Sequence, residues 1–170
     1  MEILQHIWGA TPEGEAIVIY TLRNDNGCEV QVCNIGAAIV SVKSPDRDGK
    51  IDDIVLGYKD PMSYFGDGAA SGKSVGRVAN RIAKGRMIIE GVEYTLEINN
   101  GPNHLHGGPT GFHARVWDAE QVNGQTLKLH YLSADMEEGF PGNLDVTVIY
   151  TFTDENELKI EYTATTDKKT

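Results

Sequence analysis

The strictest constraint in this chain is a two-residue rhythm of apolar side chains near its end. Val146, Val148, Tyr150 and Phe152 fall on one side of an extended strand, and Asp145, Thr147 and Thr151 fall on the other. After the Asp154-Glu155-Asn156 turn the rhythm resumes. Leu158, Ile160, Tyr162 and Ala164 make an apolar face opposite Lys159, Glu161 and Thr163. Successive strand side chains point to opposite faces, so such a run specifies a half-buried strand and excludes a helix. No stretch holds a 3.6-residue period over three turns. The pattern predicts an all-β chain, an antiparallel β-sandwich.

The rest of the chain is punctuated accordingly. Strands are expected over Glu15–Leu22, Glu29–Ile35, Ala37–Lys43 and Ile51–Leu56, with turns at Asn24-Asp25-Asn26-Gly27 and Pro45–Gly49. Residues 58–74 read as irregular. Arg86–Ile89 and Val92–Leu96 flank Glu90-Gly91 as a hairpin, and Asn123-Gly124 joins two further strands. Trp117, Tyr150 and Phe152 read as core; Trp8 reads either as core or as a sugar-stacking ring. Cys28 and Cys33 have opposite parity and would lie about 16 Å apart on one strand, too far to bridge. Two reduced, buried thiols are expected.

Charge narrows the function. Asp and Glu number 25 against 15 Lys and Arg, a formal net charge of -10 over 170 residues. Nucleic acid and anionic membranes both require a basic footprint, so neither is an expected partner. No apolar run approaches the ~20 residues of a membrane span. Met1–His6 lacks the basic and apolar regions of a secretory signal, and a cytoplasmic protein is expected. Gly72-Lys73-Ser74 resembles part of a phosphate-binding loop, but Asp67 stands where that motif needs glycine.

The functional candidates concentrate between Gly76 and Trp117. Arg77, Asn80 and Arg81 are followed by Asn99, Asn100, Asn103, His104 and His106, interleaved with glycines. Such a density of hydrogen-bonding groups on closely approachable backbone suits a small, neutral, hydroxyl-rich ligand, and sugars are the obvious class. Taken singly, the arginines read as surface residues, Asn80 as a turn residue and His106 as a loop histidine. Arg77 also reads as the partner of a carboxylate inside the sandwich. Glu137-Glu138 reads as part of a solvated loop. His104 and His106 have the spacing of a cupin-like metal pair, but Thr110-Gly111-Phe112 supplies no carboxylate, and no metal is expected. His6, His113 and His130 have no evident partners.

Several of these pieces together resemble the aldose 1-epimerases (galactose mutarotases). The carriers are Gly36-Ala37, Leu56-Gly57-Tyr58, Gly76-Arg77-Val78-Ala79-Asn80-Arg81-Ile82, Leu105-His106-Gly107-Gly108, Gly111-Phe112, Trp117 and Glu137–Gly142. The resemblance implies that residues 1–170 are the N-terminal portion of one large β-sandwich domain. It implies interconversion of the α and β anomers of free hexoses such as galactose and glucose, without a cofactor. Asn80, Arg81 and His106 are then the substrate-binding residues, with His106 assisting catalysis. The family's acid histidine and base glutamate would lie beyond Thr170, leaving these residues inactive alone and prone to self-association through exposed sheet edges. The alternative is a non-catalytic carbohydrate-binding β-sandwich.

Overall fold

The computed structural model describes residues 1–170. Strands β1 (Glu2–Ala10), β2 (Ala16–Arg23), β3 (Glu29–Cys33), β4 (Ala38–Pro45) and β5 (Ile51–Asp53) form one sheet in that order. A single helical turn, α1 (Pro61–Phe65), follows. Four short strands come next: β6 (Arg81–Ile82), β7 (Arg86–Ile89), β8 (Val92–Thr95) and β9 (His104–Leu105). β6 pairs with β9, and β7 with β8. Strands β10 (Asp118–Gln121), β11 (Thr126–Ser133), β12 (Leu144–Phe152) and β13 (Leu158–Thr166) make a second sheet in that order. Every pairing is antiparallel, as the alternation requires.

The two sheets pack face to face. Tyr20, Leu22, Val30 and Val32 meet Leu129, Val148, Tyr150 and Phe152 in one core cluster. Within it Tyr150 donates its hydroxyl proton to the Ala37 carbonyl at 2.7 Å, which satisfies a phenol that burial would otherwise strand. The five-stranded sheet also buries its outer face. Ile17, Ile19, Cys33, Ala38 and Val40 pack beneath Tyr64 of α1. That double cover explains why β2 is apolar almost throughout rather than alternating.

The cysteines divide as their parity requires. Cys28 sits between the sheets and Cys33 on the outer face, and both thiols are free and buried. Burial pushes the Cys33 thiol up to about 11, so it stays protonated and inert.

Three features depart from the sequence reading. β1 was not foreseen, because its residues are mostly exposed along a sheet edge and show no clean alternation. α1 interrupts the segment read as irregular. Asp60 caps it, accepting from the Ser63 amide at 2.9 Å, and Pro61 pre-sets its first turn. Five residues are too few for a helical period to register. The apolar face of β13 is the third. Ile160 and Tyr162 pair opposite Tyr150 and Val148 and so share the inner face of the sheet. They nevertheless remain 40% and 59% exposed.

Candidate functional site

The two-residue ladder of β6 and β9 brings the candidate residues together. Arg81 lies opposite Leu105 and Ile82 opposite His104. Asn80 and His106 flank the ladder with φ of 68° and 54°, both in the left-handed region. They are joined twice. The His106 amide donates to the Asn80 carbonyl at 3.0 Å, and the Asn80 amide donates to His106 Nδ1 at 3.0 Å. The second bond requires Nδ1 to be an acceptor, so the neutral imidazole carries its proton on Nε2, which has no partner within the chain.

Arg81 is steadied by amides rather than by a carboxylate. Its Nε donates to Asn100 Oδ1 at 2.9 Å and its Nη1 to Asn80 Oδ1 at 3.1 Å. Its positive charge stays unneutralised, and donors of its fork remain free for a ligand. Asn99 closes on the backbone of Leu105. It accepts from the Leu105 amide at 2.6 Å and donates to the Leu105 carbonyl at 2.9 Å. The sequence-predicted trio of Asn80, Arg81 and His106 is therefore one connected surface. His106, Asn99, Asn100 and His113 line a depression of about 310 Å³ beside it. Size alone does not single it out, since the groove beside Glu13, Phe65 and Arg115 holds about 420 Å³. The convergence of amides and imidazoles does.

The loop carrying His106 is seated on bare backbone. A Cβ on Gly107 would stand 1.5 Å from the Gly76 carbonyl oxygen, and Gly107 has a φ of +79°. Glu138 binds the loop from the side, accepting from the Thr110 amide at 2.7 Å and from the Thr110 hydroxyl. Glu137 is a structural anchor as well. It pairs with Arg115 at 2.8 Å, accepts from the hydroxyls of Tyr131 and Ser133, and is 13% exposed. The reading of Glu137-Glu138 as a solvated loop is corrected on these contacts.

Arg77 differs from Arg81 and also from its expected role. It pairs with no carboxylate. Its guanidinium donates to the carbonyls of Pro141, Ser133 and Ala134 and to the hydroxyls of Ser133 and Thr170. Burial holds its pKa below the usual arginine range against the raising influence of Glu137 and Asp135.

His104 faces inward, fully buried, with its ring edge-on to Phe140 at 5.4 Å and Nδ1 2.7 Å from the Glu97 carbonyl oxygen. It does not converge with His106 on any shared ligand. Lys73, from the abortive phosphate-loop motif, donates to the Tyr64 carbonyl, and Ser74 meets the Tyr162 hydroxyl at 2.8 Å. Trp8 packs on Tyr64 at 5.7 Å, and Trp117 is core, donating to the Phe112 carbonyl at 3.1 Å.

The sequence profile of aldose 1-epimerase matches residues 18–170. The chain is 41% identical over 157 residues to an aldose 1-epimerase of Escherichia coli K12, covering 92% of this chain and 45% of that one. It is 37% identical over 170 residues to a galactose mutarotase of Sus scrofa, covering 100% of this chain and 49% of that one. The chain belongs to the aldose 1-epimerase family. A solved galactose 1-epimerase from Lactobacillus acidophilus superposes with a TM-score of 0.86 at 28% identity, covering 99% of this chain and 49% of that one. This family member spans about half the length of the relatives it matches. No helix in it is long and apolar enough to cross a membrane. Its fold is the antiparallel β-sandwich of that galactose 1-epimerase structure. One residue of the depression, His113, was not foreseen by sequence reading. It lines the same depression as His106 once the glycine-rich loop between them is folded, and spacing along the chain carries no sign of that.

Proposed function

We propose that residues 1–170 are the N-terminal portion of a mutarotase-like sandwich domain and supply the sugar-holding surface of a hexose 1-epimerase. The observation that carries the reading is the joined trio of Asn80, Arg81 and His106, in which His106 lines the open depression and Arg81 is tied to it through Asn100, another lining residue. In mutarotation a base removes the O1 proton while an acid protonates the ring oxygen. The C1–O5 bond breaks, a C1 carbonyl forms, C1 turns, and the ring recloses on the other face. Arg81 and Asn80 hold sugar hydroxyls through that sequence, so the open chain does not diffuse away before reclosing. The Nε2–H of His106 donates toward the reacting end and stabilises charge building on the ring oxygen. In this reading the acid/base pair, which needs opposed protonation states near neutral pH, lies outside residues 1–170; the side-chain partner of His106 is the Asn80 amide rather than a carboxylate.

The test is polarimetry of fresh α-D-galactose with and without the chain, run beside a calorimetric titration of the same sugar. Saturable binding without acceleration is expected. Clear acceleration would move the acid/base pair inside these residues and overturn the division of roles. Absence of binding would remove the sugar-holding role itself. The same reading expects self-association through the uncovered face of β13, where Ile160 and Tyr162 are exposed. Sedimentation velocity should show dimers or larger species whose proportion falls in an Ile160→Lys variant; a monomer at all concentrations would contradict this.

A further inference from the structure

Two imidazoles, not one, face the depression beside β9. His106 and His113 both line it, together with Asn99 and Asn100. His113 sits in the turn Phe112–Ala114, whose backbone is locked from two sides. A Cβ on Gly36 would fall 2.7 Å from the His113 carbonyl oxygen, and the Trp117 indole donates to the Phe112 carbonyl at 3.1 Å. The ring is therefore presented from a rigid base.

The chemistry of its two nitrogens follows from burial. Nδ1 of His113 is enclosed and has no hydrogen-bond partner. A proton there would be a stranded donor, which is more costly than an unmet acceptor. Nε2 also makes no bond within the chain but is not enclosed. The ring is kept neutral chiefly by burial, then by Lys73 and His106, with Glu138 and Asp67 only partly opposing them. A neutral ring with Nδ1 bare carries its proton on Nε2. His106 reaches the same state by a different route, through the Asn80 amide on its Nδ1. The depression thus holds two fixed N–H donors, and both lack a partner.

We propose that His113 is a second sugar-contacting residue of this site, donating from Nε2 to a sugar oxygen that His106 does not reach, and that it sets which hexose epimer is preferred. The inference rests on the sugar-site reading above. Epimers differ in the direction of one hydroxyl, and a donor held on a rigid turn cannot follow the hydroxyl to its other position. Losing one such bond changes affinity by about threefold to tenfold.

The experiment is a long-range ¹H–¹⁵N correlation titration of the whole chain, labelled at histidine, with D-galactose and then D-glucose. The Nε2 signals of His106 and His113 should shift together and give one Kd for each sugar. His113→Phe should raise the Kd of the preferred sugar about threefold to tenfold and narrow the gap between the two sugars. His113→Asn, which restores an N–H donor, should recover part of the loss. A saturable shift at His106 with His113 unmoved would overturn the proposal and leave the sugar site standing. So would an unchanged Kd ratio in a folded His113→Phe chain. No shift at either histidine would remove the sugar site and this inference with it. The wild-type titration decides the matter even where a variant fails to fold.

Discussion

Gly107→Ala is expected to destabilise the chain by about 3 kcal/mol or more, combining a left-handed backbone penalty with a backbone clash. The added methyl would meet the Gly76 carbonyl oxygen at 1.5 Å and the Arg77 amide nitrogen at 2.7 Å. Neither is the end of a flexible side chain, so the loop from His106 to Gly111 must lift. The loss should appear in urea denaturation as a lower midpoint with an unchanged slope. It should also abolish sugar binding, because His106 rides on the displaced loop. Gly91→Ala is the control. Gly91 has a φ of +82° in the β7–β8 turn but nothing within 4 Å of its Cβ position, so only the conformational penalty of about 1 kcal/mol applies. Equal losses in the two variants would mean that the Gly107–Gly76 contact contributes nothing.

The second large effect separates two arginines that look alike in sequence. Arg77→Met should cost about 3 kcal/mol or more, since it removes donors from the carbonyls of Ser133, Ala134 and Pro141, and Ser133 and Pro141 are buried. Methionine fills much of the stem's volume, so the loss reports the unmet carbonyls rather than a cavity. Arg81→Met should change stability by no more than about 0.5 kcal/mol, because Arg81 is exposed and water replaces it at Asn80 and Asn100. It should weaken sugar binding about tenfold or more, as charged hydrogen bonds to hydroxyls are lost. Thermal melts and calorimetry on the two variants give the comparison. If Arg77→Met melts like wild type, Arg77 does not clamp the Ser133–Pro141 loop. If Arg81→Met binds galactose normally, the trio is not the sugar surface.

The particular residues show where sequence reading reaches and where it stops. Strands β2, β3, β4, β7, β8, β11 and β12 were legible because alternation and turn residues are local properties, written within ten residues of each other. So was the division of Cys28 and Cys33 between two faces. Asn80, Arg81 and His106 were legible as a cluster because one short hairpin separates them, and the resemblance to the aldose 1-epimerases supplied the ligand class. That Arg77 turns inward while Arg81 does not was legible, but the partners of Arg77 were not, because they depend on which backbone carbonyls the loop from Ser133 to Pro141 brings to one guanidinium. Nor was the role of Glu137, which is decided by Arg115 and Tyr131 arriving from other elements. His104 and His106 share a strand-like spacing, yet one is sealed beside Phe140 and the other faces the depression. By itself the chain determined most of its strands, their turns and its family, which follow from local patterns and motifs in sequence. Burial and long-range hydrogen bonds exist only once the sheets have packed, so the tertiary structure alone decided which polar groups are walls and which are free to meet a ligand.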